Sequence, residues 1–443
     1  PAPDSAQSLA GYVIGTRPDG GAGTLDGGHL DASGVTVDTG FATGSSLRHA
    51  TFSKVLRGKR IDGIERITSR NAAWRAQAYR DADGDIGITL IKNDYRDLVP
   101  DAALHPVAAA LERGYDGSAL FHSLELGSAT DIGHALRQLS GAGIASSLQP
   151  LRTLEQRFVR LSDDMSENRA GFGFRLAGSR HGQPEARLGS STYDLVALRQ
   201  RFEFGHGARL TARYGLASVK PGAANAGLDG HSQLFGLHYA QPLGHRMQLE
   251  GEFRYAQHRI DTRRTLRYGD VNLRPQASQR RDQSSNRLAL VLPPLPINGP
   301  ALAPLFGLMV RHQRDAALTE RHAGAYALRL SATHDSTLDG VFGLRFRHDT
   351  VDRHNGRGWR IDAEVLARPA LYRQADVRQA RFASAPAAGR FDLPASGSHR
   401  LGYDGRLGLS HHGRDSRFEI SAFASRDNGA GDRNIMANYR RSF

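Results

Sequence analysis

Apolar and polar side chains alternate with a period of two from about residue 169 to the end of the chain. In 247–255 the odd positions carry Met, Leu, Gly, Phe and Tyr, whereas the even positions carry Gln, Glu, Glu and Arg. The same division occurs in 359–365 and in 401–409. A period of two places successive side chains on opposite faces of a β-strand. Clusters of Gly, Asp, Asn and Pro interrupt the alternation at intervals typical of hairpins. The pattern therefore predicts an antiparallel sheet with one apolar and one charged face.

Twelve such strands can be delimited along this part of the chain. Short connections at 205–207, 242–244 and 412–415 alternate with long polar ones at 265–284 and 374–397, which is typical of periplasmic turns and outer loops. Residues 323–349 could form two strands, which would break the even count, but we interpret them as one long excursion outside the membrane. The predicted strands are 170–180, 191–204, 208–219, 231–241, 245–264, 285–295, 301–315, 326–349, 357–373, 398–411, 416–427 and 434–443.

The composition of the polar face favours a membrane barrel over a soluble β-protein. An alternating strand alone does not separate the two, because a soluble antiparallel sheet also has one wet face. Here, however, only four lysines occur, and Arg, Asp, Glu and Gly dominate the polar positions. Planar guanidinium groups can bridge carboxylates across the strands of a narrow lumen. The predicted pore-lining residues are Arg175, Arg213, Glu250, Glu252, Arg254, Arg345, Arg347, Arg360, Asp362, Glu364, Asp404 and Arg406.

Two regions of different character precede the barrel. Residues 1–98 are rich in Gly, Asp and Thr, with short alternating stretches at 35–37 and 86–91, which predicts short strands of a β-solenoid-like unit. Residues 99–168 contain three segments with helical spacing, 102–111, 132–139 and 148–165. The chain begins at Pro1 without a charged start and an apolar core, so we interpret it as a fragment that lacks its export signal.

The last helical segment is predicted to thread the barrel as a pore helix over 147–166. A twelve-stranded lumen is wider than its own side chains can fill, so a plug is expected. Pro150 suits a first helical turn, and Glu155 and Asp163 are expected to meet arginines of the lumen. An amphipathic helix packed on a soluble core is the alternative, but the position just before the first strand favours the plug. The pore-helix residues are Leu151, Leu154, Glu155, Phe158, Arg160 and Leu161.

Charge and motif content exclude several other classes of protein. The net charge is +13, yet no Lys/Arg run typical of nucleic-acid binding occurs. The chain has no cysteine, which excludes disulfides and thiolate metal sites. It also lacks the G-x-S-x-G, H-E-x-x-H and phosphate-loop patterns, so we predict no catalytic site and no cofactor. Asp81 to Asp85 resembles the start of a calcium loop but lacks the later Glu, and a polar turn is the better interpretation. His411 and His412 fall in a predicted turn, where histidines are usually solvated, and no metal site is predicted.

The end of the chain resembles the signal that the outer-membrane barrel-assembly machinery reads. Ile435, Ala437, Tyr439 and Phe443 fall on one face of the twelfth predicted strand. Arg441 departs from the pattern, because an apolar residue is usual there, although an arginine can snorkel at the rim of the membrane. Tyr439 and Phe443 are therefore the predicted assembly signal.

Together these features resemble the translocator of the autotransporter (type V secretion) family over about 100–443. The phrases that carry the resemblance are Ala301 to Arg311 leading to Leu318-Thr319-Glu320, Val341 to Phe346, and Leu401 to Arg406. The resemblance implies three domains: the C-terminal part of a passenger (1–98), a helical linker (99–168) and an outer-membrane barrel (169–443). It also implies export of the passenger to the cell surface by a monomeric chain. The implied partners are outer-membrane lipid, the barrel-assembly machinery and the chain's own passenger, with no nucleic acid.

Two other functions remain open at this point, namely a free-standing porin or adhesin barrel and a secreted soluble β-enzyme. The helical linker favours a translocator, since a porin has no use for it. Members of the family often cut their own linker, for which Asn168 with Asp163 and Asp164 is the candidate, although helix capping explains the same residues. The sequence does not reveal the passenger's activity, which could be that of a subtilisin-like protease, an esterase or an adhesin.

Overall fold

The computed structural model describes residues 5–148, 150–163, 171–178, 187–188, 191–221, 228–295, 299–351, 357–393, 400–413, 416–427 and 430–441. Within these ranges, no helix is both long and apolar enough to cross a lipid bilayer. The chain begins with a β-rich unit whose strands are β1 (Gln7–Ser8), β2 (Val13–Ile14), β3 (Leu25–Asp31), β4 (Thr36–Val37), β5 (His49–Asp62), β6 (Thr68–Ser69), β7 (Trp74–Arg80) and β8 (Ile86–Lys92).

Two parallel ladders stack the first turns of this unit on one another. One ladder joins β1, β3 and β5, and the other joins β2, β4 and β6. Ile14, Val37 and Leu56 fill the space between the two layers and are almost fully buried. This arrangement agrees with the predicted β-solenoid-like unit. It differs at its end, where β7 and β8 form an antiparallel hairpin on β5.

Six α-helices follow within the described residues, and the first five pack on the β-rich unit. They are α1 (Tyr95–Leu98), α2 (His105–Arg113), α3 (Ala119–His122), α4 (Ala129–Leu139), α5 (Ala142–Ser147) and α6 (Pro150–Asp163). The Ser128 hydroxyl accepts the Asp131 amide proton at 3.1 Å, which caps the start of α4. Gly141, with φ +74°, follows the end of α4 in the left-handed conformation that ends many helices. Leu111, Leu120 and Leu136 join one buried core with the β-rich unit. We call residues 5–147 the stem.

From Gly171 onward the described residues form a sheet in which twelve long strands follow one another in antiparallel order, as predicted. The prediction of one strand at 326–349 is wrong in detail, because the chain folds out at Leu328–Leu330 and the barrel strand begins only at Thr333. The twelve are β9 (Gly171–Gly178), β11 (Ser191–Glu203), β12 (Arg209–Pro221), β13 (Leu228–Pro242), β14 (Gln248–Arg263), β17 (Gln276–Val291), β18 (Ala301–Asp315), β21 (Thr333–Asp349), β22 (Gly358–Ala375), β25 (Leu401–His412), β26 (Ser416–Asp427) and β27 (Ala430–Arg441), with the short β10 (Arg187–Leu188) beside β11.

The described strands do not complete the ring of backbone hydrogen bonds expected of a closed tube. Among the described residues no ladder joins β27 to β9, so the sheet has a seam between its last and first strands. Strand β9 has eight residues, whereas the other eleven long strands have twelve to eighteen. Within the described residues, the seam therefore lies beside the shortest of the twelve strands.

The long connections at one end of the sheet have secondary structure of their own, which the sequence pattern did not indicate. The predicted loop 265–284 contains the hairpin β15 (Leu266–Tyr268) and β16 (Val271–Leu273), and then the start of β17. A second small sheet combines β19 (Leu318–Thr319), β20 (Leu328–Leu330), β23 (Gln379–Phe382) and β24 (Phe391–Asp392). We call this hairpin and this sheet the outer caps.

Candidate functional site

The outward face of the barrel strands is apolar and exposed. Phe174 is 63% exposed, Val365 is 60% exposed and Ile435 is 68% exposed, although soluble proteins bury most such side chains. No second sheet covers these side chains within the described residues. Other large apolar side chains that are exposed on barrel strands include Phe172, Leu176, Leu216, Leu288, Phe306, Leu308, Phe342, Leu344, Trp359, Leu407 and Ile420.

Tyrosines mark both ends of this apolar band. The Tyr239 hydroxyl donates to Gln241 at 2.7 Å, toward the short-turn end of the barrel. The Tyr255 hydroxyl donates to Asp282 at 3.1 Å, and that of Tyr372 donates to Gln374 at 3.3 Å, both toward the outer caps. On β14 the outward positions from Leu249 to Tyr255 are free of charge over about 20 Å along the strand. An uncharged outward face that carries tyrosines is typical of the lipid-facing side of an outer-membrane barrel.

The inward face carries the charges, several of them buried. Glu252 is 8% exposed and lies among three arginines, with oxygen to nitrogen distances of 3.5 Å to Arg213, 2.7 Å to Arg254 and 3.3 Å to Arg287. These groups come from β12, β14 and β17, so one carboxylate connects three strands of the lumen. A buried carboxylate is tolerated only when such partners compensate for its lost hydration.

A second cluster crosses the lumen. The Arg345 guanidinium on β21 donates to Glu250 on β14 at 2.5 and 2.8 Å, and it also pairs with Glu364 on β22. Strands β17 and β18 lie between β14 and β21 in the sheet, so this contact spans the inside of the curve. Arg287 contributes a further contact with Glu250 at 3.9 Å.

The other predicted pore-lining residues lie on the same face, and their role stays a prediction. Arg347 pairs with Asp362 at 2.7 Å, Arg360 pairs with Asp349 at 2.5 Å, and Asp404 pairs with Arg368 at 2.9 Å. Arg347 is two-thirds exposed, which places it at an open end of the lumen. Arg175 is half-buried and Arg406 is exposed.

Helix α6 lies inside the curve of the sheet. Leu151, Leu154 and Phe158 are buried, and they form one cluster with inward side chains of the early strands such as Leu195 and Leu234. Gly215 on β12 makes room for the helix, because a Cβ atom there would come within 2.6 Å of the Phe158 ring. Leu161 belongs to the same cluster. The described helix spans Pro150–Asp163, within the predicted 147–166, and the restricted backbone of proline suits its first position. Residues 164–166 of the predicted helix lie outside the described residues.

Polar contacts join the helix to strands on every side. Arg157 and Arg160 donate to Asp432 on β27 at 3.2 and 2.9 Å, and Gln156 accepts from Ser425 on β26 at 2.8 Å. Across the lumen, Arg152 donates to Gln313 on β18 at 3.1 Å. The sheet therefore surrounds the helix, although its seam is open.

The prediction that Glu155 meets a lumen arginine is wrong. Its carboxylate lies 3.0 Å from the Nε2 atom of His258, a fully buried ring on β14 that also contacts Ser232 at 2.7 Å. In the ion pairs between the helix and Asp432 the cation is on the helix, since Arg157 and Arg160 meet that carboxylate. Asp432 was missed because the twelfth strand was predicted to begin at residue 434. Extending its alternation back by two residues places Asp432 inward.

Several predicted residues fall where the structure describes little. Asn168, Asp164 and Phe443 lie outside the described residues, as does the side chain of Asp163. Tyr439 is 68% exposed on the lipid-facing side of β27, next to the similarly exposed Ile435.

The acidic turn and the paired histidines have ordinary surroundings. Asp81 accepts the backbone amides of Asp83 and Asp85 at 3.0 and 2.9 Å, as in a polar turn. The Lys54 ammonium lies 2.7 Å from a carboxylate oxygen of Asp83, and its positive charge compensates part of the negative charge of the three aspartates in this turn. The His411 ring packs on Trp359 with ring centroids 4.7 Å apart.

Comparison with known proteins assigns this barrel to a family. Residues 205–422 match the model of the autotransporter β-domain family, and residues 11–94 match that of the BigA β-sandwich domain. The chain contains an autotransporter β-domain. Such a domain is the outer-membrane part of a type V secretion protein, it anchors and exports a passenger, and it is not itself catalytic. The predicted translocator is confirmed, and a porin or a secreted enzyme is not favoured.

A curated relative and several solved structures are similar to the chain. The putative surface-exposed virulence protein BigA of Salmonella typhimurium strain LT2 is 30% identical over 456 residues, which cover 100% of this chain but only 23% of BigA. The translocator domain of NalP from Neisseria meningitidis has a TM-score of 0.44 at 15% identity, covering 68% of this chain and 98% of that domain. The β domain of the Bordetella autotransporter BrkA has a TM-score of 0.33 at 17% identity, covering 61% and 96%.

Proposed function

We propose that the autotransporter β-domain of this chain holds the stem at the outer surface of the cell while helix α6 seals the lumen. The observation that carries the proposal is the inverted distribution of side chains. Apolar groups face outward, ion pairs such as Glu250 with Arg345 face inward, and a helix that continues from the stem fills the remaining space. Each of these features is expected of a barrel in lipid that must not leak.

The direction of the chain supports surface display. Helix α6 connects α5 of the stem to the first barrel strand, so it runs along the lumen from one end toward the other. The stem lies at the end that carries the outer caps, and the short turns such as 204–208 and 243–247 lie at the opposite end. Short turns are periplasmic in barrels of this kind and long connections are extracellular. Material N-terminal to the stem would therefore be outside the cell.

We also propose the partners that this role requires. Lipid would cover the apolar band, and the barrel-assembly machinery would recognise β27, whose Ile435 and Tyr439 face outward. The passenger would be the chain's own N-terminal part, which includes the solenoid-like unit. The larger size of BigA supports the presence of further passenger, whose activity would be a separate question.

The experiment is a comparison of the full chain with a variant that lacks 150–163. We expect both in the outer-membrane fraction, with the stem of the full chain accessible to antibody on intact cells. Only the deletion should conduct ions in planar bilayers, because it lacks the plug. Recovery of the full chain in the soluble fraction would refute membrane anchoring, and equal conductance of the two would refute the seal.

Self-cleavage of the linker stays a separate prediction. The candidate is Asn168 with Asp163 and Asp164, between α6 and β9. Intact mass measurement of the cell-bound chain tests it, with Asn168→Ala as the matched variant. A shortened chain that becomes full length in Asn168→Ala supports cleavage, whereas a full-length chain in both excludes it.

A further inference from the structure

We infer that the outward face of the barrel carries a binding site for the phosphate groups of a lipid in the outer leaflet. The site is a group of basic side chains directly beyond the apolar band, at the end of the barrel that carries the outer caps. The inference rests on the proposed function, in which that end faces the outside of the cell. It adds the chemistry of the lipid headgroup that this end of the barrel binds.

The first observation is that basic side chains lie directly opposite one another on neighbouring strands. Arg259 on β14 is in register with Arg280 on β17, and on its other side with His231 on β13, which is a further cation when protonated. Side chains at such positions have Cβ atoms only about 5 Å apart, and like charges there are destabilising. Arg314 lies one strand further, on β18, opposite Asp282. We call His231, Arg259, Arg280 and Arg314 the basic patch, and all four are exposed.

The second observation is that the carboxylate within the basic patch does not pair with all of its arginines. A carboxylate oxygen of Asp282 lies 2.9 Å from the Arg280 guanidinium. Within the described part of the chain, no ion pair or hydrogen bond engages the guanidinium groups of Arg259 and Arg314. In the lumen, by contrast, Arg345 contacts two carboxylates. The basic patch therefore has positive charge to offer to an anion.

Acidic residues on the same face lie farther from the membrane. Asp229 and Asp261 are opposite one another on β13 and β14, and Asp261 lies two residues beyond Arg259. Ser278 donates to Asp261 at 2.5 Å, and Arg263 pairs with Asp229 at 3.7 Å. These carboxylates have partners of their own and leave the guanidinium of Arg259 available.

The third observation is the height of the basic patch relative to the membrane. On β14 the outward side chains beyond Tyr255 are Gln257 and Arg259, so Arg259 lies about 14 Å along the strand from the tyrosine. Aromatic side chains of outer-membrane barrels lie at the membrane interfaces, so positions beyond them meet the lipid headgroups. At the short-turn end of β14 and β17, Leu249 and Leu290 occupy outward positions opposite one another. On these two strands the outward arginines are thus confined to the outer end.

A phosphorylated lipid fits both the charge and the position of the basic patch. Guanidinium groups bind phosphate oxygens through paired, charge-assisted hydrogen bonds, and basic clusters beside a membrane attract anionic headgroups. Arg259 and Arg280 are close enough to share one phosphate, and Arg314 is a diagonal neighbour of Arg280 at roughly 7–8 Å. The acyl chains of the same lipid would lie on the adjacent apolar band, where Leu288 is 59% exposed and Leu308 is 51% exposed. This combination favours a phosphorylated lipid over free phosphate, which has no acyl chains.

The test measures the binding of diphosphoryl lipid A to the purified full chain in detergent by native mass spectrometry. The variants are Arg259→Gln and Arg314→Gln, alone and combined, and the matched control is Arg274→Gln, an exposed arginine between β16 and β17. We expect the apparent dissociation constant to rise at least about tenfold in the double variant, because a hydrogen bond to a charged group is typically worth roughly tenfold in affinity. The control should bind as the unaltered chain does.

A second measurement uses the repulsion between the like charges. In phosphate-free detergent, Arg259→Gln removes a cation from between His231 and Arg280, so the heat stability of the folded barrel should stay the same or rise. Heat stability is followed by the altered migration of the folded barrel in SDS gels before heating. With diphosphoryl lipid A the order should reverse, because the unaltered chain gains more from the phosphate groups. A variant that is less stable than the unaltered chain in both conditions would overturn the site.

The outcomes separate this inference from the proposed function. Equal affinity of the unaltered chain for diphosphoryl lipid A and for its dephosphorylated form would show that the apolar band alone binds lipid, and would overturn the phosphate site. Complete displacement of the lipid by inorganic phosphate would overturn the assignment to a lipid. Either result leaves the proposed function intact if the chain is in the outer-membrane fraction with its stem exposed. Recovery of the unaltered chain in the soluble fraction would instead refute the proposed function itself.

Discussion

The contact between Phe158 and Gly215 provides a direct test of the seal. Phe158 is 3% exposed and lies on the face of α6 that packs against the early barrel strands. Truncating a buried phenylalanine to alanine typically costs about 3–5 kcal/mol. If this cost falls on the docked helix alone, Phe158→Ala lowers the equilibrium constant for docking of α6 by at least about a hundredfold, since each 1.4 kcal/mol is roughly tenfold. A helix that is docked nearly all the time would then undock often enough to produce single-channel openings.

The opposite substitution supplies the control. A larger side chain at Gly215 must displace the Phe158 ring, because even a Cβ atom would come within 2.6 Å of it. Gly215→Leu alone should therefore cost about 1–3 kcal/mol through overpacking. In the double variant the leucine occupies space that the ring has left. The destabilisation of the double variant should then be smaller than the sum of the two single destabilisations by about 0.5–3 kcal/mol, as is typical of residues in contact.

Two assays report these quantities. Planar-bilayer recordings of the purified full chain give the frequency of openings, and the temperature at which the folded band disappears from SDS gels gives the stability of the barrel. We expect frequent openings in Phe158→Ala, some in Gly215→Leu and fewer in the double variant than in Phe158→Ala. Strictly additive effects, or a Phe158→Ala chain that stays closed, would show that this contact does not hold the helix in the lumen.

Three further predictions concern the lumen, the lipid face and the stem. Glu252→Gln leaves three arginines without their shared carboxylate and should destabilise the barrel by about 3–5 kcal/mol. An unchanged free energy of unfolding, measured by urea titration in detergent, would contradict the assigned network. Leu344→Arg puts a charge into the apolar band and should cost about 2–4 kcal/mol in vesicle folding assays, whereas an equal cost for His348→Arg near the end of the strand would argue against the band. Burial raises the pKa of Glu125 above its ordinary value of 4.5, even though Thr39 donates to it at 2.7 Å. The folded stem then binds more protons than the unfolded chain as the pH rises from 4.5 through the raised pKa, so its stability falls over that interval. Proteolysis of the stem on cells should show this pH dependence, and Glu125→Gln should abolish it.

The barrel could be predicted because its physical requirement acts on every residue. A strand between lipid and a charged lumen must alternate, and the predicted bounds of 301–315 and 416–427 agree with β18 and β26. Segments outside the membrane do not lie between lipid and lumen, so their side chains need not alternate. Leu266, Phe382 and Phe391 look like isolated apolar residues in polar loops, and only the folded chain shows that they share a core with the stem.

The face of a side chain followed from the sequence, but its partner did not. Alternation places Glu250 and Arg345 inward, yet their contact depends on the curvature of the sheet, which brings strands β14 and β21 together across two others. Likewise, the stripe of α6 predicts which residues are buried. It does not predict that Glu155 meets a histidine or that the helix arginines meet Asp432. Such pairings depend on distances across the lumen, which no local pattern encodes.

The position of Arg157 connects the seal with the seam of the barrel. Its guanidinium lies 5.5 Å from the centre of the Tyr193 ring on β11 and 3.2 Å from Asp432 on β27, so one side chain of the helix contacts strands on both sides of the seam. Cation–π contacts and ion pairs both gain strength away from water. Where the described backbone offers no ladder between β27 and β9, the docked helix thus supplies contacts across the gap. Because these contacts require both β11 and β27 in place, α6 can dock fully only when the last strand has joined the sheet. The helix that we propose as the seal of the lumen therefore also joins the two edges of the sheet through its side-chain contacts.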